Sequence, residues 1–228
     1  MLYWLASYPR SGNTFFRRIV EQCYGLVTWD KYIVPSETDP NYPLLRSLET
    51  IITSPQPVLV KTHEPPGDDN FPAIYLLRDG RDALVSYTHF VLTLDKPPKG
   101  EITPVLFHNT LRDLLLEERS PFRSWAENVL AWTSRPGVVV VRYEELVQNP
   151  GPVVEGALRA IGCPATRIKD VIPTFEQLKK KEPLIFRRGL PGCWRDEFPP
   201  DLLPLFWERN GYAMERFGYG WEETRRAA

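Results

Sequence analysis

The chain has 228 residues, a length that suits one domain, and 43% of them are apolar, so a full hydrophobic core is within reach. Its formal net charge of −1 excludes a globally basic surface for nucleic acid or an acidic membrane, so any anionic ligand must be met by a local cluster. The three cysteines, Cys23, Cys163 and Cys193, are odd in number and far apart, without metal-ligand spacing. They point to a reducing compartment and buried thiols, not to a disulfide framework.

The N-terminal apolar run is too short for a signal peptide and lacks a basic lead-in. No stretch approaches the roughly 20 apolar residues of a membrane span. The expectation is a soluble, cytoplasmic protein with no membrane partner. The 23 prolines are scattered and read as turn punctuation.

Leu2–Ser7 is a short apolar run ended by Tyr-Pro and reads as a buried first strand. Residues 13–24 carry helical spacing in Phe16, Ile19, Val20 and Cys23. Residues 25–57 read as irregular, with a short helix around 44–52. Strands are predicted at 58–61 and 73–77, then a helix over 79–90 with Asp79 as its cap. Residues 95–104, rich in Lys, Pro and Gly, predict a loop. Helices follow at 111–118 and 122–133, the second with Trp125, Val129 and Trp132 on one stripe. Val138–Val141 is a run of valines, read as a strand buried on both faces. A helix over 152–161, an irregular stretch over 183–200 and a last helix over 201–210 complete the chain. Strands separated by helices predict an α/β fold, a parallel sheet flanked by helices on both faces, in a single domain spanning 1–228.

The segment Ser7-Tyr-Pro-Arg-Ser-Gly-Asn-Thr-Phe15 sits where the first strand meets the first helix. Backbone N–H groups and the helix dipole converge there on one spot. Gly12 allows close backbone approach. Ser11 and Thr14 offer hydroxyls, and Arg10 a permanent forked cation. The turn resembles a P-loop but is not a Walker A motif: Asn13 stands where lysine is expected, and the leading glycine is missing. The bland alternative is a Pro-Gly turn that binds nothing.

Val58-Leu-Val-Lys-Thr-His63 delivers a histidine to a strand's C-terminal end, where open parallel sheets place ligands. Arg78 ends the next strand, and Ser86 follows just over two helical turns on. An arginine with a helix-borne hydroxyl suits a second phosphate. Surface ion pairing of Arg78 and Arg81 with Asp79 and Asp82 is the alternative.

At this point the chain resembles the sulfotransferases that use 3′-phosphoadenosine 5′-phosphosulfate (PAPS). Tyr8–Thr14 matches their 5′-phosphosulfate loop, Lys61–His63 their Lys-Thr-His element, and Arg78 with Ser86 their 3′-phosphate element. Arg187-Arg188-Gly189 followed by Gly192-Cys193-Trp194 looks like their late Arg-Lys-Gly and Gly-x-Trp segment. Tyr143-Glu144-Glu145-Leu146 looks like an element whose tyrosine lies near the adenine. The likeness runs from residue 2 to about residue 198. Departures are Arg10 for the frequent lysine, Phe15 for the frequent tryptophan (which keeps a stacking face) and Arg188 for lysine.

The resemblance implies a P-loop-like fold and in-line sulfuryl transfer from PAPS, leaving adenosine 3′,5′-bisphosphate. It implies His63 as general base, with an imidazole near its reference pKa of about 6.5, and Arg10 stabilising charge on the bridging oxygen. Ser11, Gly12, Asn13 and Thr14 would hold the 5′-phosphate. Phe15 and Tyr143 would meet the adenine. Arg78, Ser86, Arg187, Arg188 and Gly189 would hold the 3′-phosphate. No metal is called for, and His89 and His108 are assigned to packing or surface roles. A nucleotide kinase or NTPase is disfavoured by the missing Walker lysine, and a non-catalytic binder by His63 and Arg10. The acceptor is expected to be a small molecule with a hydroxyl, not a nucleic acid or an anionic glycan. Its pocket would come from residues 25–45, 91–109 and 183–200, with Trp29, Tyr32, Tyr42, Phe90, Leu92, Leu94, Phe107 and Phe186; those aromatics could instead fill the core. Lys179-Lys180-Lys181 reads as a solvated helix face.

Overall fold

The computed structural model describes residues 1–97, 99–117 and 120–220. The last residue of the helix expected at 111–118 and the chain end from 221 lie outside the described residues. Five strands, β1 (Leu2–Ser7), β2 (Val27–Asp30), β3 (Val58–Thr62), β4 (Ala73–Leu77) and β5 (Val138–Arg142), form one sheet in the order β2-β3-β1-β4-β5. Every pairing is parallel. The chain fills the β2–β3 side of β1 first and the β4–β5 side afterwards. The sheet therefore has a switch point beside β1, the place where such folds bind ligands.

Side-chain alternation divides the core into two layers. Trp4, Val60, Tyr75 and their neighbours face α4 (Gly80–Phe90), α5 (Pro104–Leu116), α6 (Trp125–Thr133) and α11 (Leu203–Arg216). Leu5, Leu59, Ile74 and Leu76 face α1 (Asn13–Tyr24), α7 (Tyr143–Gln148), α8 (Pro150–Ala160) and α9 (Phe175–Lys181). The short helices α2 (Tyr42–Leu45) and α3 (Leu48–Thr53) lie between β2 and β3 in the chain, and α10 (Trp194–Glu197) precedes α11.

Several expected boundaries shift. The stretch read as irregular after residue 25 contains β2. The single helix expected at 44–52 is broken at Ser47, whose hydroxyl caps α3. Thr103 caps α5 ahead of Pro104, so that helix starts within the expected loop. Ser124 and Glu127 form a capping box that starts α6 later than expected. Asp79 caps α4 as expected, accepting from the Arg81 N–H, and α4 runs on into a π-turn over Val91–Asp95. The valine strand β5 is not buried on both faces. It pairs only with β4 at the sheet edge, and Val140 is 40% exposed.

Candidate active site

All five strands deliver residues to one cavity of about 720 Å³ at their C-terminal ends. β1 leads into the Tyr8–Phe15 turn, β2 ends at Asp30, β3 is followed by His63, β4 by Arg78 and β5 by Tyr143. Of the sequence-predicted site residues, all but Ser11 line the cavity, and Ser11 is buried within the turn itself.

The turn after β1 is held by its own side chains. Asn13 Nδ2 donates to the Leu5 carbonyl at 2.9 Å and to Ser7 Oγ at 3.3 Å. Its amide therefore faces inward, and what Asn13 offers a phosphate is its backbone N–H at the start of α1. Gly12 has φ +96°, and a Cβ there would sit 2.7 Å from Cδ2 of Tyr143. Glycine thus lets the Tyr143 ring close over the turn, a second reason for it beyond phosphate approach.

Arg10, Arg78 and Ser86 form one cluster. Arg10 Nε donates to Ser86 Oγ at 3.2 Å, and its NH2 to the Ile185 carbonyl. Arg78 NH1 donates to the Arg10 carbonyl at 3.1 Å, and its guanidinium stacks 4.2 Å from the Tyr143 ring centre. Burial, reinforced by Arg78, lowers the Arg10 pKa to about 10, so it stays charged at neutral pH. Arg81 and Asp79 are not a surface pair. Arg81 is 0% exposed, donates to Asp79 from Nε at 3.0 Å and from NH2 at 2.6 Å, and lies 4.0 Å from the Trp194 ring. Asp82 is buried as well, accepting from the Gly192 N–H at 2.7 Å and the Trp194 N–H at 2.9 Å. This pins the late Arg-Arg-Gly segment to α4.

His63 belongs to a separate hydrogen-bonded set. Its Nδ1 lies 2.8 Å from the Ser7 carbonyl, which can only accept, so Nδ1 carries the proton and Nε2 is left bare. Asn128 Nδ2 donates to the His63 carbonyl at 2.7 Å, and the His63 N–H donates to the Tyr32 hydroxyl at 2.7 Å. The expectation of a near-reference imidazole is corrected: burial first, then Lys61, lowers the His63 pKa to about 3. Around the ring stand Tyr32, stacked at 5.7 Å, and Phe122, edge-on at 5.7 Å, with Tyr87 and Phe90 beyond. Lys61 donates to Asp30 at 2.7 Å, and Asp30 also accepts from Arg17 at 3.3 Å.

Among the described residues, three buried donors here have no partner: Ser11 Oγ, Arg78 Nε and Arg187 Nε. Buried donors normally find acceptors, so those of Arg78 and Arg187, which line the cavity, fit a polyanionic ligand. The cavity wall carries Arg10, Arg17, Arg18, Lys61, Arg78, Lys96, Arg187 and Arg188 against Asp30, Glu117 and Glu182. That local excess contrasts with a chain net charge of −1. Among the described residues no group of three or more His, Cys, Asp or Glu could hold a metal, and no helix is long and apolar enough to cross a membrane.

A family model described as "Sulfotransferase domain" matches residues 3–218. The chain belongs to the sulfotransferase family. Mouse sulfotransferase 1E1 is 24% identical, over 92% of this chain and 82% of its own length. Cytosolic sulfotransferase 3 of Arabidopsis thaliana is also 24% identical, over 87% and 72%. Among solved structures, mouse sulfotransferase SULT7A1 complexed with PAP, the bisphosphate product of PAPS, superposes with a TM-score of 0.64 at 20% identity, covering 91% of this chain and 84% of that one. A retinol dehydratase in complex with retinol and PAP follows at 0.62 and 17%, over 93% and 81%. The fold is the expected P-loop-like sheet, and the expectation of a PAPS-dependent sulfotransferase is met.

Sequence reasoning missed part of the cavity lining. Phe175 on α9 packs edge-on against Phe15 at 6.5 Å and against Phe186 at 5.4 Å. Tyr87, Phe122, Leu114 and Glu117 also line the cavity. Phe122 lay inside an expected helix, and no motif marked it. Of the aromatic and aliphatic residues proposed for the acceptor pocket, Tyr32, Phe90 and Phe186 line the cavity, whereas Trp29 and Phe107 pack against the core and Leu92 is buried. His89 and His108 lie against the carboxylates of Glu197 at 2.6 Å and Asp201 at 2.8 Å and do not line the cavity.

Proposed function

We propose that the chain transfers the sulfuryl group of PAPS to the hydroxyl of an apolar, aromatic small molecule, with His63 as general base. The observation that carries the reading is the polarity of the cavity. One side holds Arg78 and Arg187 with unsatisfied buried donors. The other holds an unprotonated imidazole Nε2 inside an aromatic enclosure.

PAPS, when bound, supplies the activated sulfuryl group. The turn from Arg10 to Thr14 and the start of α1 bind the 5′-phosphate through N–H groups, the Ser11 hydroxyl and Arg10. Arg78, Ser86 and the Arg187–Gly189 segment bind the 3′-phosphate. Phe15, Tyr143 and Phe175 offer faces for the adenine. Tyr32 and Phe122 orient a flat acceptor so that its hydroxyl meets His63 Nε2, which takes the proton. The Ser7 carbonyl keeps the ring in that tautomer and steadies the imidazolium that results. Anion binding beside the ring raises its basicity above the value of the free protein. Arg10 counters charge on the leaving group, for which it must give up the Ile185 carbonyl. Catalysis is then mostly positioning and electrostatics.

Residues 1–228 are taken as one sulfotransferase domain working in the cytoplasm, with no metal and no nucleic-acid partner. The test is transfer from labelled PAPS to a panel of phenols, aliphatic alcohols and a heparan-type polymer. Turnover of phenols or alcohols is expected. Sulfation of the polymer alone would overturn the acceptor assignment, and equal binding of adenosine 3′,5′-bisphosphate and 5′-AMP would overturn the 3′-phosphate assignment.

A further inference from the structure

The segment from Glu182 to Glu197 passes along the cofactor end of the cavity and is tied down at both sides. Arg18 Nε donates to Glu182 at 2.9 Å, and Asp82 accepts from the Gly192 and Trp194 N–H groups. Between these ties stand Arg187 and Arg188, and they are held differently. Arg188 uses NH1 on Glu197 at 3.0 Å and NH2 on Asp196 at 2.8 Å. Arg187 uses NH1 alone, shared by the two Glu197 oxygens at 2.8 and 2.7 Å. Its Nε is buried and has no partner.

Glu197 has a third neighbour: His89 Nε2 lies 2.6 Å from its Oε2. His89 sits three residues after Ser86 on α4, so the carboxylate joins the Ser86 helix to the arginine segment. Neither Glu197 nor His89 lines the cavity, whereas both arginines do. The carboxylate therefore stands behind the guanidinium and does not occupy the ligand's place. Burial works against the Glu197 charge, but hydrogen bonds from Arg187 and His89 hold its carboxyl below the usual range.

We propose that Glu197, backed by His89, is a positioning residue that orients Arg187 so that its free Nε faces the 3′-phosphate of the bound nucleotide. Arg188 braces the same carboxylate from outside. This rests on the proposed assignment of the 3′-phosphate to Arg78, Ser86 and the Arg187 segment. A fixed guanidinium loses less rotamer freedom on binding than a loose one, so the gain is in affinity for the 3′-phosphate alone.

The test is isothermal titration of wild type, Glu197→Gln, Glu197→Asp and His89→Ala with adenosine 3′,5′-bisphosphate and with 5′-AMP. Wild type should prefer the bisphosphate by at least about tenfold. Glu197→Gln should weaken the bisphosphate by about tenfold while 5′-AMP changes by less than about twofold. Glu197→Asp should recover part of the loss, and His89→Ala should show the same selective loss at roughly threefold. If Glu197→Gln does not fold, His89→Ala carries the test. Unchanged or tighter bisphosphate binding, or an equal loss for both nucleotides, would overturn the positioning role while wild type still discriminates. Absence of discrimination in wild type would instead overturn the 3′-phosphate assignment, and the positioning role with it.

Discussion

The proposed cofactor end of the cavity is built on the ends of β1, β4 and β5, whereas the proposed acceptor end is assembled from rings that arrive from separate segments. At the first, Asn13 donates to the Leu5 carbonyl, Arg78 to the Arg10 carbonyl, and Tyr143 stacks on Arg78 and closes over Gly12. At the second, Tyr32 follows β2, Tyr87 and Phe90 lie on α4, and Phe122 precedes α6. A polar ligand with fixed charges needs donors at fixed spacings, which adjacent strand ends and their turns supply. An apolar acceptor needs only surface, which any ring of suitable size provides. The cofactor end is therefore written in short motifs, and the acceptor end is not.

His63→Ala separates the two ends most sharply. Loss of a general base costs roughly 100- to 10,000-fold in turnover. The hydrogen bonds of His63 go to Ser7, Tyr32 and Asn128, and not to Arg10, Arg78 or Ser86. Titration with adenosine 3′,5′-bisphosphate should thus give an affinity within about threefold of wild type. Turnover near wild type would require another base and would merge the two ends into one binding surface.

Arg78→Ala should act in the opposite sense. It removes a charge-assisted donor set worth about 1.5–3 kcal/mol, so bisphosphate affinity falls about 10- to 100-fold while 5′-AMP is little affected. Some loss of thermal stability should accompany it, because Arg78 also holds the Arg10 carbonyl and covers Tyr143. Equal weakening of both nucleotides would place Arg78 outside the 3′-phosphate site.

Phe122→Ala tests the acceptor end alone. Without that ring to pack against, a phenol should show a KM raised by about tenfold, with bisphosphate affinity unchanged. An effect on nucleotide affinity as large as that on KM would show that the aromatic enclosure belongs to the cofactor site.

The difference between the ends also explains what the sequence could and could not reveal. β1 and the turn after it were legible because an apolar run, Tyr-Pro and Gly12 each constrain the backbone locally. β2 was not, since the alternation of Val27-Thr-Trp-Asp30 spans only four residues, too few to stand out in a stretch read as irregular, and the strand is a half-buried edge strand. The valines of β5 read as doubly buried because composition cannot show that only one neighbour strand pairs with them. Arg81 and Asp82 read as possible surface charges because Trp194, whose ring lies over Arg81 and whose N–H binds Asp82, comes from more than a hundred residues away in the chain. Phe175 gave no signal: its place against Phe15 depends on the path of the chain after α8. The low pKa of His63 was out of reach for the same reason, since burial is a property of the packed fold.

That low pKa gives the mildest test, and it isolates His63 within the folded chain. The folded-state pKa of about 3 lies below the ordinary value of 6.5 that applies when the chain is unfolded. Between those values the unfolded state binds a proton that the folded state refuses. The stability tied to neutral His63 is therefore fully present above pH 6.5 and is lost as pH falls toward 3. The slope approaches about 1.4 kcal/mol per pH unit inside that window. Asp30 and Glu197, whose pKa values are lowered, lose their own contributions only below the ordinary carboxylate range, and they do so in any His63 variant as well. Urea unfolding of wild type and His63→Gln, which keeps a neutral side chain, cancels those shared contributions. Between about pH 6.5 and pH 5.5 wild type should lose roughly 1 kcal/mol relative to the variant, with the gap widening at lower pH. Parallel stability curves would mean that the folded protein accepts a charged imidazole beside Asp30 and Lys61. In that case His63 would sit in a polar, solvated pocket, and the contrast between a dry acceptor end and a charged cofactor end would not hold.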